Sequence, residues 1–532
     1  MDKIWNQMVL DAQTQPEQIA VIDISRDPVR QLTRQQLVQA VTALAREFSA
    51  RSYEAVALYA GNSADWIIVD LACRLADVAL LPLPGFFSSG QIRHALKTVP
   101  VDVVLTDRPA HLHGQFTSFV SGEKLSVRLE VLVDAAAVEQ PPATQQFDDI
   151  ARLDRGAKRR QMLPPRTRKI TFTSGSTGDP KGVCLSTEHQ QLVAMSLSGA
   201  TSALQIRKHL CVLPLATLLE NIAGVYAPLL QGACIMIASD RQLGFNGAAG
   251  FSVPDLLATI STMRPNSLIL MPQLLQALVQ SCDAGWHAPD SLRFIAVGGG
   301  SVNRALLDKA WQSGLPVYEG YGLSECGSVV ALNTPQARRN GSLGKPLPHV
   351  HTRMIDNELW VSGAAFLGYA GDIESWTAQE SSAWVHTGDL CEVDADGFLH
   401  FQGRRKNLIV SSYGRNISPE WVERELSHSV LITQVIVSGD SRPFCVALIA
   451  ARDQSVSNQQ IQKIVDEANR MLPEYARVQR WHRLENLIGP GAGAPTDLMT
   501  TNGRPRRSQI EQYFQAEIDA LYVSNKENEY AC

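Results

Sequence analysis

No apolar run in this chain reaches the roughly eighteen residues a membrane-spanning helix needs. The opening stretch, MDKIWNQMVLDAQTQPEQ, has no long apolar core, so no signal peptide is expected there. Cysteines never occur as a C-x-x-C pair or in a tight His/Cys cluster. The nine stand singly at 73, 184, 211, 234, 282, 326, 391, 445 and 532. That scatter argues against a disulfide framework or a zinc module and for reduced, mostly buried thiols in the cytoplasm. Charge of one sign is also scarce, the net value being −5. Nothing global therefore points to nucleic acid or a membrane surface as partner. What remains is an ordinary globular balance, 45% hydrophobic and 19% charged, over 532 residues. That length is too great for one hydrophobic core, so two or more domains are expected.

Glycine and hydroxyl residues are concentrated in one place, Ile170-Thr-Phe-Thr-Ser-Gly-Ser-Thr-Gly-Asp-Pro-Lys-Gly182. Glycines let backbone N–H groups approach phosphate oxygens, hydroxyls add donors, and Lys181 adds positive charge. A surface loop of the same composition is the alternative reading. The mononucleotide P-loop is excluded, because Gly175 to Lys181 is too long and Gly182 follows the lysine.

Up to about residue 106, short apolar strands (Ile19 to Ile24, Val56 to Ala60, Val78 to Pro84, Val101 to Thr106) alternate with helical stretches. Thr33 with Gln36 reads as a capping box. Such alternation predicts a mostly parallel sheet covered by helices. Arg155 to Arg168 reads as a basic loop or linker with a solvated face. After the glycine stretch, Leu185 to Ala200 reads as a helix, and Cys211 to Asn221 as a strand entering a helix. Leu292 to Gly300 reads as a strand closed by three glycines, and Phe366 to Tyr369 as a turn. Asp394-Ala-Asp-Gly397 reads as a hairpin turn, too short for an EF-hand. Ser418 is a helix cap. Beyond it, strands Leu431–Val437 and Phe444–Ala450 with helices Ile461–Leu472 and Ser508–Val523 predict an α+β domain.

Two further stretches carry chemistry. In Tyr318-Glu-Gly-Tyr-Gly-Leu-Ser-Glu325, Tyr321 offers an aromatic face for a purine, Ser324 a hydroxyl and Glu325 a hard oxygen ligand suited to Mg²⁺. In Trp384-Val-His-Thr-Gly-Asp389, the carboxylate can accept two hydrogen bonds and donates none.

Taken together, these stretches resemble the motifs of the adenylate-forming superfamily, which includes acyl-CoA synthetases, and the resemblance runs over nearly the whole chain. It implies an α/β fold: a large N-terminal domain (1–405) with mixed, mostly parallel sheets and a small β-rich subdomain, and a small mobile α+β C-terminal domain (406–532). It implies ATP, Mg²⁺ and CoA as cofactors, and a carboxylic acid as the small-molecule partner. By resemblance, Thr173, Ser174, Gly175, Ser176, Thr177, Gly178 and Lys181 would hold phosphate, and Gly299, Gly300, Tyr321, Gly322 and Ser324 the nucleotide. Glu325 would hold the metal, Asp389 the ribose, Arg404 ribose and phosphate, and Lys406 the hinge. Arg504 stands where the family usually has a catalytic lysine, and Thr217 where acyl-CoA synthetases have an aromatic or histidine. Pro214-Leu-Ala-x-x-x-Glu220 resembles the fatty-acyl members, so a medium- to long-chain fatty acid is the expected substrate. Two alternatives stay open: loading of a separate acyl carrier protein, and binding of nucleotide and acyl ligands without turnover.

Overall fold

The computed structural model describes residues 2–108, 118–120, 130–133, 159, 161–173, 180–245, 251–300, 302, 304–429, 431–485, 498 and 505–523. Two large sheets dominate the N-terminal part. In the first, the strands Val317–Tyr321, Phe294–Val297, Ser267–Leu270, Lys208–Cys211, Cys234–Ile237 and Ile19–Asp23 lie parallel in that order. Antiparallel strands close both edges. In the second, Lys169–Thr173, Ala79–Pro82, Ala55–Tyr59 and Val103–Thr106 form a parallel centre with antiparallel neighbours. The expected α/β class, mixed sheets with parallel centres, is observed. Ala64–Leu75 is buried along nearly its whole length, and its two buried aspartates are paired, Asp65 with Arg26 and Arg30 and Asp70 with Lys169. The Thr33–Gln36 capping box opens the helix Arg34–Ala50 as the sequence implies.

A four-stranded antiparallel sheet of His351–Ile355, Glu358–Ser362, Val385–Val393 and Leu399–Arg404 supplies the β-rich subdomain. Its last hairpin turns at Asp394, whose Oδ1 accepts from the N–H groups of Asp396 and Phe398. Further on, Ile432–Ser438 and Cys445–Ala451 pair antiparallel, and Val478–Leu484 adds a parallel third strand not expected from the sequence. Helices Pro419–Leu426 and Asn458–Met471 pack on this small sheet, the first capped by Ser418. The buried apolar clusters of the first part end at Leu399, and those of the second begin at Ile409.

Several local readings shift by tertiary context. Leu185 ends a strand because it pairs with Lys169, so the following helix starts at Thr187 behind the Ser186 cap. The stretch read as a turn at Phe366–Tyr369 contains the short strand Gly368–Tyr369, recruited by antiparallel pairing to Val183 and Cys184. The expected 508–523 helix is two, Arg507–Tyr513 and Gln515–Ala520. Arg159, read as part of a solvated basic face, is buried against Glu54 and Asp102, with Pro100 O accepting from its Nε. The described cysteines are unpaired thiols, all buried except half-buried Cys282. Burial pushes the Cys184 thiol up to about 12. Among the described residues no helix is long and apolar enough to cross a membrane.

Candidate active site

The glycine stretch is bracketed by a hairpin. Lys169–Thr173 and Lys181–Leu185 pair antiparallel, so Thr173 stands opposite Lys181. His94 Nε2 meets the Pro180 carbonyl at 3.0 Å and holds the second arm. The same arm pairs on its other edge with Gly368–Tyr369, which places the Tyr369 ring beneath Lys181 Nζ, 4.8 Å from the centroid. Tyr369 then donates through its hydroxyl to Glu325 Oε1 at 2.9 Å. Burial, and next the Glu325 carboxylate, push the Tyr369 phenol well above its ordinary range, so it remains a donor. Phe366 N–H donates to the Glu325 carbonyl at 2.7 Å, fixing the backbone beneath the carboxylate.

A second cluster forms around Asp389. This residue is 1% exposed, paired across the hairpin with Arg404. Tyr321 donates its phenol to Asp389 Oδ2 at 2.7 Å. Asp389 Oδ1 lies 2.8 Å from Arg404 Nε, yet it receives no aligned hydrogen bond from the described residues. A buried carboxylate oxygen in that condition is suited to a hydroxyl donor from outside the protein. Gly322 is required beside Tyr321: a Cβ there would fall 1.6 Å from the Ser328 carbonyl oxygen.

Both the second cluster and the strand end Gly298–Gly300 open onto one continuous cavity of about 2130 Å³. Tyr321, Gly322, Ser324, Asp389, Arg404 and Lys406 line it. From the other side it is closed by the helix Pro419–Leu426, through Glu420, Glu423 and Arg424. Arg424 Nη1 donates to the Phe401 carbonyl at 3.3 Å, joining this helix to the Val385–Arg404 hairpin. Inward, the wall turns apolar with Leu197, Ile206, Leu219, Ala223, Ile269 and Phe294.

A model of the AMP-binding enzyme family matches residues 10–366, and a model of the C-terminal domain of AMP-binding enzymes matches residues 406–526. The chain belongs to the AMP-binding enzyme family. Among its relatives is the long-chain-fatty-acid–CoA ligase FadD15 of Mycobacterium tuberculosis, 25% identical, with 89% of this chain and 88% of the relative covered. The 2-succinylbenzoate–CoA ligase of Staphylococcus aureus is 24% identical over 74% of this chain and 79% of its own. A similar solved structure is the O-succinylbenzoate coenzyme A synthetase MenE of Bacillus subtilis in complex with ATP and magnesium ion. Its TM-score is 0.72 at 23% identity, covering 95% of this chain and 99% of that one.

In this AMP-binding enzyme the fold brings Lys181 to Glu325 through Tyr369, and Tyr321 and Arg404 to Asp389. Ser174, Gly175, Ser176, Thr177, Gly178 and Arg504 lie outside the described residues. Thr217 lines the cavity, but its hydroxyl donates to the Pro214 carbonyl at 2.7 Å. Sequence reasoning passed over Tyr369, whose pairing partner lies far away in the chain. It also passed over Glu319, which sits on the cavity wall, 6% exposed, with Oε2 unpartnered. Burial pushes the Glu319 carboxyl up to about 8. The one sequence signal for Glu319 was its place two residues before Tyr321.

Although no His/Cys cluster is visible in the linear spacing, the fold makes one. His209, Cys211 and Glu220 are buried with ligand-type atoms all within 4.8 Å of one another. Here the groups are already hydrogen-bonded. His209 Nε2 meets Glu220 Oε1 at 3.0 Å, and Leu213 N–H donates to Glu220 Oε2 at 3.0 Å. Burial, then the Glu220 charge, push the Cys211 thiol well above its ordinary range, and the thiol donates to the Gly224 carbonyl at 3.9 Å.

Proposed function

We propose that this enzyme joins a carboxylic acid to the α-phosphorus of ATP, releasing pyrophosphate, and then passes the acyl group to the thiol of CoA, releasing AMP. The observation that carries this reading is a ribose-suited carboxylate (Asp389) on a large cavity whose wall, at Ser324, adjoins Glu325 of the cation–tyrosine–carboxylate cluster (Lys181, Tyr369, Glu325). Membership of the AMP-binding family and the named CoA ligases among its relatives support it.

In this reading Thr173, the hydroxyl and glycine residues 174–178 and Lys181 bind the pyrophosphate end of ATP. Glu325 and Ser324 face the phosphates. Glu325, steadied by Tyr369, would hold Mg²⁺, which would supply positive charge to the phosphates. Asp389 accepts from the ribose hydroxyls, with Arg404 alongside. Tyr321 and the glycines Gly299, Gly300 and Gly322 make room for the planar base. Arg504 supplies positive charge to the reacting carboxylate and phosphate. No side chain forms a covalent intermediate, so catalysis is positioning and charge stabilisation. The unit 406–532 turns about Lys406 on 1–405, so that two of its faces serve the two half-reactions.

The substrate we assign is a medium- to long-chain fatty acid. The apolar inner wall of the cavity favours an aliphatic chain, as does the fatty-acyl relative. Mass spectrometry of products tests the whole reading: a carboxylic-acid panel is offered with ATP and Mg²⁺, and with either CoA or a phosphopantetheinylated carrier protein. Acyl-CoA from a fatty acid supports it. Acyl-carrier product alone moves the acceptor, and no product from any acid overturns it.

A further inference from the structure

The inner wall of the cavity is largely apolar, with a few polar side chains, among them Thr201, Gln231, Glu319, His209 and Ser267. Ser267, on Ser267–Leu270, and His209, on Lys208–Cys211, both face the cavity from neighbouring parallel strands. His209 Nδ1 lies 2.8 Å from Ser267 Oγ, and its Nε2 lies 3.0 Å from Glu220 Oε1. The Leu213 N–H takes the other Glu220 oxygen. This is a relay of backbone, carboxylate, imidazole and hydroxyl that ends at the cavity surface. All three side chains are buried, at 2% exposure or less.

Two features show that the backbone is shaped around the relay. Glu220–Tyr226 is a π-helix, a rare widened turn that often marks functional sites. Gly224 within it leaves room for the pair: a Cβ there would lie 2.3 Å from Glu220 Oε1 and 2.7 Å from His209 Nε2. A cavity for a plain alkyl chain has no use for such a relay, because a buried ion-pairing group is no more stabilising than a well-packed apolar one. The Ser267 hydroxyl has one donor and two acceptor positions, and the bond to His209 uses only one of these. A ligand hydroxyl both donates and accepts, so it matches Ser267 whichever partner of the Ser267–His209 bond holds the proton.

We propose that the acid this enzyme activates carries a hydroxyl group on its chain, bound by Ser267, with His209 and Glu220 acting as positioning residues. The proposal rests on the adenylation reading above and names its substrate class more narrowly.

The test uses the full-length enzyme and acid-dependent ATP–pyrophosphate exchange. Dodecanoic and hexadecanoic acids are compared with their positional monohydroxy isomers. At least one hydroxy isomer is expected to exceed its parent in kcat/KM by roughly tenfold or more, mainly through KM, the worth of about one well-made hydrogen bond. Ser267→Ala should bring that ratio towards one. Glu220→Gln should lower it by raising KM for the hydroxy acid selectively, whereas a merely structural role would slow both acids alike. If Ser267→Ala does not fold, Ser267→Cys gives the same readout, and the wild-type ratio needs no variant. Robust exchange with a ratio near one for every isomer, or a ratio unmoved by the serine variants, overturns the proposal alone. Absence of exchange with all acids overturns the adenylation reading, and this proposal with it.

Discussion

Tyr369 donates its hydroxyl to Glu325 at 2.9 Å while its ring lies under the ammonium of Lys181. One side chain thus ties the cation at the end of the glycine stretch to the carboxylate assigned to the metal. Replacing Tyr369 by Phe keeps the ring and removes only the hydroxyl. The expected result is a several-fold rise in the Mg²⁺ concentration giving half-maximal exchange, with a stability loss of about 1 kcal/mol. An unchanged Mg²⁺ dependence would mean that Glu325 needs no such support.

Glu319 gives a pH signature. Its folded carboxyl sits at about 8, raised by burial, above the ordinary value of 4.5. The native state therefore holds a proton that the unfolded chain has lost between these limits, and stability falls as pH rises from about 4.5 through about 8. Thermal melts of Glu319→Gln without nucleotide should lack that decline. A wild-type curve that is flat or rising over this window contradicts the assignment.

The centre of the N-terminal part holds a buried ion pair. Lys169 lies 2.7 Å from Asp70, receives support from Asn221, and meets Tyr226 Oη at 2.9 Å. Burial lowers the ammonium's pKa, so its charge depends on Asp70. Lys169→Met should destabilise by about 3–5 kcal/mol, because Asp70 is left charged and nearly buried. Adding Asp70→Asn should recover part of the loss in denaturant titrations. A single variant within 1 kcal/mol of wild type, by the same measure of about 3–5, would show that the pair is dispensable.

The family resemblance implies a catalytic lysine at the position of Arg504, and arginine differs from lysine in size and planarity, so we propose that the exchange between the two is informative there. Arg504→Lys should exchange pyrophosphate at or above the wild-type rate. A large loss would assign the arginine a role that lysine cannot fill.

Local signals carried much of the fold. The Thr33–Gln36 box, the Asp394 turn and the Ser418 cap all act within a few residues, and each forms as read. The alternation of short apolar strands with helices gave the parallel sheet centres for the same reason. What could not be read arrives through distance. Tyr369 looks like turn residue next to Gly368, and becomes a strand residue only because the edge of Lys181–Leu185 offers unpaired backbone groups. His209, Glu220 and Ser267 belong to three elements, and no spacing in the chain announces that the first sheet and a π-helix gather them. Arg159 reads as solvated by composition, yet Glu54 and Asp102 draw it inward.

The central claim is that Lys181 and Glu325 serve carboxylate adenylation. Acid-dependent exchange of labelled pyrophosphate into ATP measures that step without the thiol acceptor. Wild-type enzyme should exchange on addition of a fatty acid, and Lys181→Ala and Glu325→Ala should each lower the rate by roughly a hundredfold. No acid-dependent exchange by the wild type, or undiminished exchange by both folded variants, would contradict the account.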